Sequence, residues 1–94
     1  MSALDRHNIY RQAIERWGVD AQVDQLIEEL AELIVAVNHA RRSGYVAQDY
    51  DHVIEELADV EIMLEQMRHV FESDRIDQVK SSKVLRLRDR LRRV

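Results

Sequence analysis

Turn-forming residues are almost missing from this chain: its 94 residues hold no proline and only two glycines. Sheets change direction every several residues through Gly, Pro and Asn/Asp turns, so all-β and α/β folds are excluded in practice. Long helices remain. The composition agrees, with 46% apolar and 34% charged residues and few aromatics. A single domain over residues 1–94 is expected, and a domain this short buries only a limited core. The fold class expected is therefore all-α: an antiparallel helical hairpin with flanking helices, four-helix-bundle-like, completed by oligomerisation. There is no cysteine, which removes disulfides, thiol nucleophiles and Cys-based metal sites.

Apolar spacing predicts four helices. The first covers about 4–17, with Gly18 as its stop. The second runs from about 21 to 42, capped by Asp20 and ended by Ser43-Gly44; Val23, Leu26, Ile27, Leu30, Leu33, Ile34 and Val37 form its stripe. The third runs from about 49 to 72, with Val53, Ile54, Leu57, Val60, Leu64, Met67 and Phe71 as its stripe. The fourth runs from about 75 to 93. Two long helices joined by the short loop 45–48 should pack antiparallel.

Charge is divided unevenly. Residues 1–79 hold 17 acids against 7 Lys/Arg, a balance of −10, whereas residues 80–94 hold 7 Lys/Arg against one acid, a balance of +6. An acidic body repels polyanions, so nucleic acid is not an expected partner. The longest apolar run, Leu33 to Val37, is far short of the ~20 residues that span a bilayer. No membrane partner and a cytoplasmic location are expected.

The central helices repeat each other. Residues 24–33 (DQLIEELAEL) align without a gap with residues 51–60 (DHVIEELADV), six of ten positions being identical. Two such helices are read as facing each other across a pseudo-twofold axis. With ~100° per residue, each then carries a carboxylate pair beside its packing stripe: Glu29 with Glu32, and Glu56 with Asp59. Four converging carboxylates repel one another unless a proton or a cation intervenes. Oxygen-only ligands favour Mg²⁺, with Mn²⁺ as substitute, over zinc. A di-iron bundle needs Glu-x-x-His pairs, and no Glu here has a His three residues later. The plain alternative is a solvated, Glu-rich helix face.

Glu28-Glu29-Leu30-Ala31-Glu32 followed by Glu56-Leu57-Ala58-Asp59 resembles the split Glu-Glu-x-x-Glu and Glu-x-x-Asp signature of the MazG-like nucleotide pyrophosphohydrolases. Trp17 to Gln22 before it and Asp59 to Gln66 after it resemble short, single-domain members, and Lys83 to Leu87 is a weaker match. The resemblance implies an all-α fold and Mg²⁺-dependent cleavage of nucleoside triphosphates to monophosphate and pyrophosphate. It implies Glu29, Glu32, Glu56 and Asp59 as metal ligands and a site completed by another subunit, in a homotetramer or, failing that, a dimer.

Several residues can be given roles within that chemistry. Glu32 is the first choice to take a proton from the attacking water and Glu29 the second. Lys80, Lys83 and Arg86 can hold phosphate oxygens, or can simply suit the end of the last helix. Trp17 is expected in the core, with base stacking as its functional alternative. Gln22 can read a base edge or lie exposed. His7, His39, His52 and His69 share no metal-ligand spacing and are expected at the surface. A non-catalytic helical oligomerisation or adaptor module is the competing function.

Overall fold

The computed structural model describes residues 1–93, which form four helices and no strand. They are α1 (Ala3–Trp17), α2 (Val19–Ser43), α3 (Ala47–Met67) and α4 (Ser73–Leu91). The all-helical expectation holds.

The boundaries show where local chemistry acts. Ser2 caps α1: its hydroxyl accepts from the Asp5 N–H at 3.1 Å, and the Asp5 carboxylate accepts from the Ser2 N–H at 2.9 Å. Gly18 takes φ +91°, and α2 starts at the next residue, two positions before the expected start. Asp20 therefore sits in the first turn rather than at the cap. Gly44 closes α2 in the left-handed region, its N–H meeting the carbonyls of Ala40 and Arg41. The third helix ends at Met67, five residues earlier than its apolar spacing suggests, and residues 68–72 form turns. Arg68 fixes that corner: Nη1 donates to the Ser73 hydroxyl at 3.2 Å and to Asp77 at 2.8 Å. Phe71 thereby leaves the α3 stripe and joins the face of α4.

The α2–α3 hairpin is the body of the molecule. Its seam is regular. Positions 22, 26, 29, 33, 36 and 40 on α2, and 49, 53, 56, 60, 63 and 67 on α3, are all buried or half-buried. The steps alternate four and three, the heptad spacing of a coiled-coil seam, and each α3 position lies 27 residues after its α2 equivalent. Ala36 and Ala40 are the most deeply buried of the core residues and let the helices approach closely. Val60, Met63 and Met67 fill the facing side.

Leu26, Leu33, Val53, Val60 and Met67 of the expected stripes lie in this seam, but Leu30 and Leu57 do not. Those two residues are exposed, together with Ile27, Ile34, Val37, Ile54 and Leu64. They form a second apolar row, one position along from the seam, that the hairpin does not cover. Ala36 and Met63, which neither stripe includes, are core, whereas Val35 and Ile62 are exposed.

α1 lies against α2 and α3 through Tyr10, its one buried residue. Tyr10 donates to Glu65, and His7 Nδ1 meets His69 Nε2 at 3.1 Å. α4 differs: it packs on none of the other helices and buries no residue. The result is open. The radius of gyration is 16.4 Å, against about 12 Å for a compact domain of this length.

Candidate metal centre

The hairpin seam carries two carboxylates where a helical bundle normally places apolar side chains. Glu29 and Glu56 occupy equivalent seam positions, 27 residues apart, and Glu56 is only 8% exposed. One oxygen each from Glu29, Glu32 and Glu56 lie within 4.8 Å of one another. The two helices thus bring three of the four sequence-predicted acids together. Asp59 lies outside this cluster, on an exposed position. It is the counterpart of Glu32 in the repeat, but its side chain is one methylene shorter and reaches less far from its helix. Its charge still acts on the centre, since it helps raise the Glu29 pKa.

Both seam carboxylates are held in the same way. Gln25 Nε2 donates to Glu29 Oε1 at 2.9 Å, and His52 Nε2 lies 3.2 Å from Glu56 Oε1. Gln25 and His52 are themselves equivalent in the repeat, each one turn before its glutamate. In each carboxylate the other oxygen, Oε2, is buried with no hydrogen-bond partner. A buried carboxylate oxygen without a partner is costly, and a shared proton, water or cation would satisfy two at once. The electrostatics agree. Burial pushes the Glu29 carboxyl above its ordinary range despite the Gln25 hydrogen bond, and the charges of Glu32, Asp59 and Glu28 push in the same direction. A shallow groove lined by Ala31, Glu32, Val35, His52 and Glu56 opens beside the cluster.

His52 was expected at the surface. Its ring is half exposed, and the sequence signal for its second role is the donor placed four residues before a seam glutamate in both halves of the repeat.

The remaining predicted site residues are elsewhere. Lys80, Lys83 and Arg86 lie on α4, which does not touch α2 or α3 within the chain. Trp17 is 61% exposed, so the core expectation is overturned: α1 ends there, and the Arg16 guanidinium rather than the hairpin covers the ring. Gln22 is buried in the seam, where it is withdrawn from any base edge. No protein-family model, curated protein or solved structure matches the chain. Among the described residues no helix is long and apolar enough to cross a membrane.

Proposed function

We propose that the protein is a Mg²⁺-dependent nucleoside triphosphate pyrophosphohydrolase that splits the α–β phosphate anhydride to release a nucleoside monophosphate and pyrophosphate. The observation that carries this reading is the pair of buried, unpartnered oxygens on Glu29 and Glu56, each carboxylate oriented by a donor one turn earlier on its own helix. The donor set fits Mg²⁺ or Mn²⁺, being oxygen only. Glu29, Glu32 and Glu56 would hold the ion, with Asp59 adding negative charge beside them. When bound, the ion supplies charge neutralisation for the phosphates and acidifies a coordinated water.

The chain's own residues divide the remaining work. Gln25 and His52 fix the carboxylates before substrate arrives, so no reorganisation is needed at reaction. Glu32 is the exposed member of the cluster and takes the proton from the attacking water. As water adds to phosphorus the bridging P–O bond breaks, and pyrophosphate leaves with that oxygen. No covalent nucleophile is required, in keeping with a chain that has no cysteine. Trp17, exposed at the end of α1, offers a flat face for stacking any base.

The exposed row Ile27, Leu30, Ile34, Ile54 and Leu57 supports assembly. Two hairpins paired through this row form a four-helix core, and pairing of such dimers gives the tetramer. The exposed row alone equally favours a non-catalytic assembly module. That reading leaves the seam carboxylates unexplained, because assembly does not require charges at positions an apolar residue would stabilise.

Incubation with a panel of nucleoside triphosphates and Mg²⁺, with products separated by chromatography, tests the proposal. Monophosphate and pyrophosphate are expected, and turnover is abolished in Glu56→Gln with helical content retained. Orthophosphate as the primary product, or full activity in excess chelator, refutes it.

A further inference from the structure

Two histidines that stand 62 residues apart in the chain meet where α1 contacts the end of the hairpin. His7 is on α1 and His69 is in the turn after α3, and both are exposed. Nδ1 of His7 lies 3.1 Å from Nε2 of His69, with the ring centroids 5.2 Å apart. That separation suits one N–H···N hydrogen bond. It also suits a shared metal ion. Two imidazole nitrogens, each about 2.05 Å from one ion, lie about 2.9 Å apart at a right angle and about 3.3 Å apart at the tetrahedral angle. A cation can therefore take the place of the bridging proton with only small shifts of the rings.

The pair is held from both sides. Tyr10, one turn after His7, sits edge-on to both rings, and its hydroxyl donates to Glu65, one turn before His69. The His69 N–H donates to the Gln66 carbonyl at 2.9 Å, and the neighbouring Arg68 is tied to Asp77 at 2.8 Å. Burial, with the nearby charges of His7 and Arg11, holds the His69 pKa below its ordinary value, so at neutral pH a proton does not compete for that ring. Arg11 repels an incoming cation, and the Glu65 carboxylate attracts one. Nitrogen donors favour Zn²⁺, Ni²⁺ and Cu²⁺, whereas the oxygen-only cluster favours Mg²⁺. Among the described residues the one set of three converging ligands is Glu29, Glu32 and Glu56. The histidines thus supply two ligands and solvent supplies the rest, which sets the affinity below that of a four-ligand structural zinc site.

We infer that His7 and His69 form a second metal site, for Zn²⁺, Ni²⁺ or Cu²⁺, that clips α1 to the end of the hairpin. It is distinct from the carboxylate cluster, since His69 lies about three and a half helical turns past Glu56. α1 is otherwise lightly held, Tyr10 being its one buried residue. A bond between positions 7 and 69 closes a loop around the whole hairpin, and closing a long loop restricts the unfolded chain more than closing a short one. Occupancy therefore couples to the docking of α1 and stabilises the native state. The clip stands apart from the hydrolase reading.

The test is a calorimetric titration of the full-length protein with Zn²⁺ in excess Mg²⁺. One Zn²⁺ per chain is expected, together with a higher melting temperature and slower amide exchange along α1. His7→Gln and His69→Gln should each weaken Zn²⁺ binding about tenfold or more, with helical content retained because both rings are exposed. His39→Gln, on α2, should change nothing. Traces of paramagnetic Cu²⁺ should broaden the ring-proton resonances of His7 and His69 before those of His39 and His52, and Ni²⁺ should bind more tightly than Mn²⁺. Unchanged binding in the double variant His7→Gln, His69→Gln overturns the inference, as does equal weakening by His39→Gln. Broadening that begins at His52, or Zn²⁺ binding lost in Glu56→Gln, overturns it by assigning the zinc to the carboxylate cluster. A rise in mass on adding Zn²⁺ that vanishes on dilution together with the binding overturns it in favour of an ion bridging two chains. Zinc binding lost in His69→Gln, in a protein that releases no pyrophosphate, refutes the hydrolase and leaves the clip standing.

Discussion

The hairpin and α4 are built from the same materials and end in opposite states. Both are long, amphipathic and free of internal Gly or Pro. The hairpin closes on itself because a three-residue turn brings two matching heptad rows together and because Ala36 and Ala40 allow close approach. α4 carries an apolar row of similar length, but bulky cations are interleaved with it and the corner at Arg68 directs it away. Amphipathicity thus says that a helix needs a partner, and the residues between the apolar positions say what kind.

The comparison breaks most visibly by cavity formation. Met63→Ala in the seam should cost about 2–5 kcal/mol, read as a loss of helical signal at lower denaturant concentration. Leu87→Ala on α4 should leave the stability of the dissociated chain unchanged, because Leu87 has no neighbour there to lose. Equal losses at low protein concentration would show that α4 folds back on its own hairpin.

A smaller effect separates seam charge from surface charge. The Glu29 carboxyl is raised above its ordinary range, so its contribution to stability is present at low pH and is lost as pH rises through that raised value. Metal-free protein should therefore melt a few degrees lower at pH 8 than at pH 5, and Mg²⁺ should restore most of the difference. Glu29→Gln should raise the metal-free melting temperature at pH 8 and abolish the Mg²⁺ response. Glu72→Gln, on the exposed corner of α4, should do neither.

The smallest effect lies at α1. Burial, with the nearby charges of His7 and Arg11, holds the His69 pKa below its ordinary value. Stability from this group is present above about pH 6.5, the ordinary histidine value, and declines as pH falls through the lowered one. The ring-proton resonances of His69 should broaden on acidification, while the hairpin's methionine methyl signals stay put. His69→Gln should remove the response.

How much of this was legible from the residues depends on the element. The helices and the hairpin follow from apolar spacing and from the two glycines, and the carboxylate pairs follow from the ten-residue repeat. The packing face follows only in part: Leu26, Leu33, Val53, Val60 and Met67 of the expected stripes pack in the seam. Leu30 and Leu57 have the greatest apolar weight around them, yet the helices meet through the neighbouring row, where two alanines permit contact and two glutamates are tolerated. Average hydrophobicity points to the row that needs covering, while close approach selects the row that packs. Trp17 was misplaced because a large aromatic at a helix end looks like core until the following glycine redirects the chain. The early end of α3 depends on an Arg68 contact nine residues ahead, which no local pattern displays.

The three-residue turn at 44–46 has a kinetic consequence. A single helix bearing one copy of the repeat holds only half of the acids, and it could assemble a centre only by meeting another helix in solution. Tethering the two copies makes that meeting unimolecular, at an effective concentration of order millimolar set by a short linker. Although the motif occurs twice, the carboxylates from both helices converge on one cluster. Cation capacity should therefore be set by the number of hairpins and not by the number of motifs. A Mn²⁺ titration followed by electron paramagnetic resonance should saturate one centre per chain, and the centre should persist at dilutions where the chains themselves have separated.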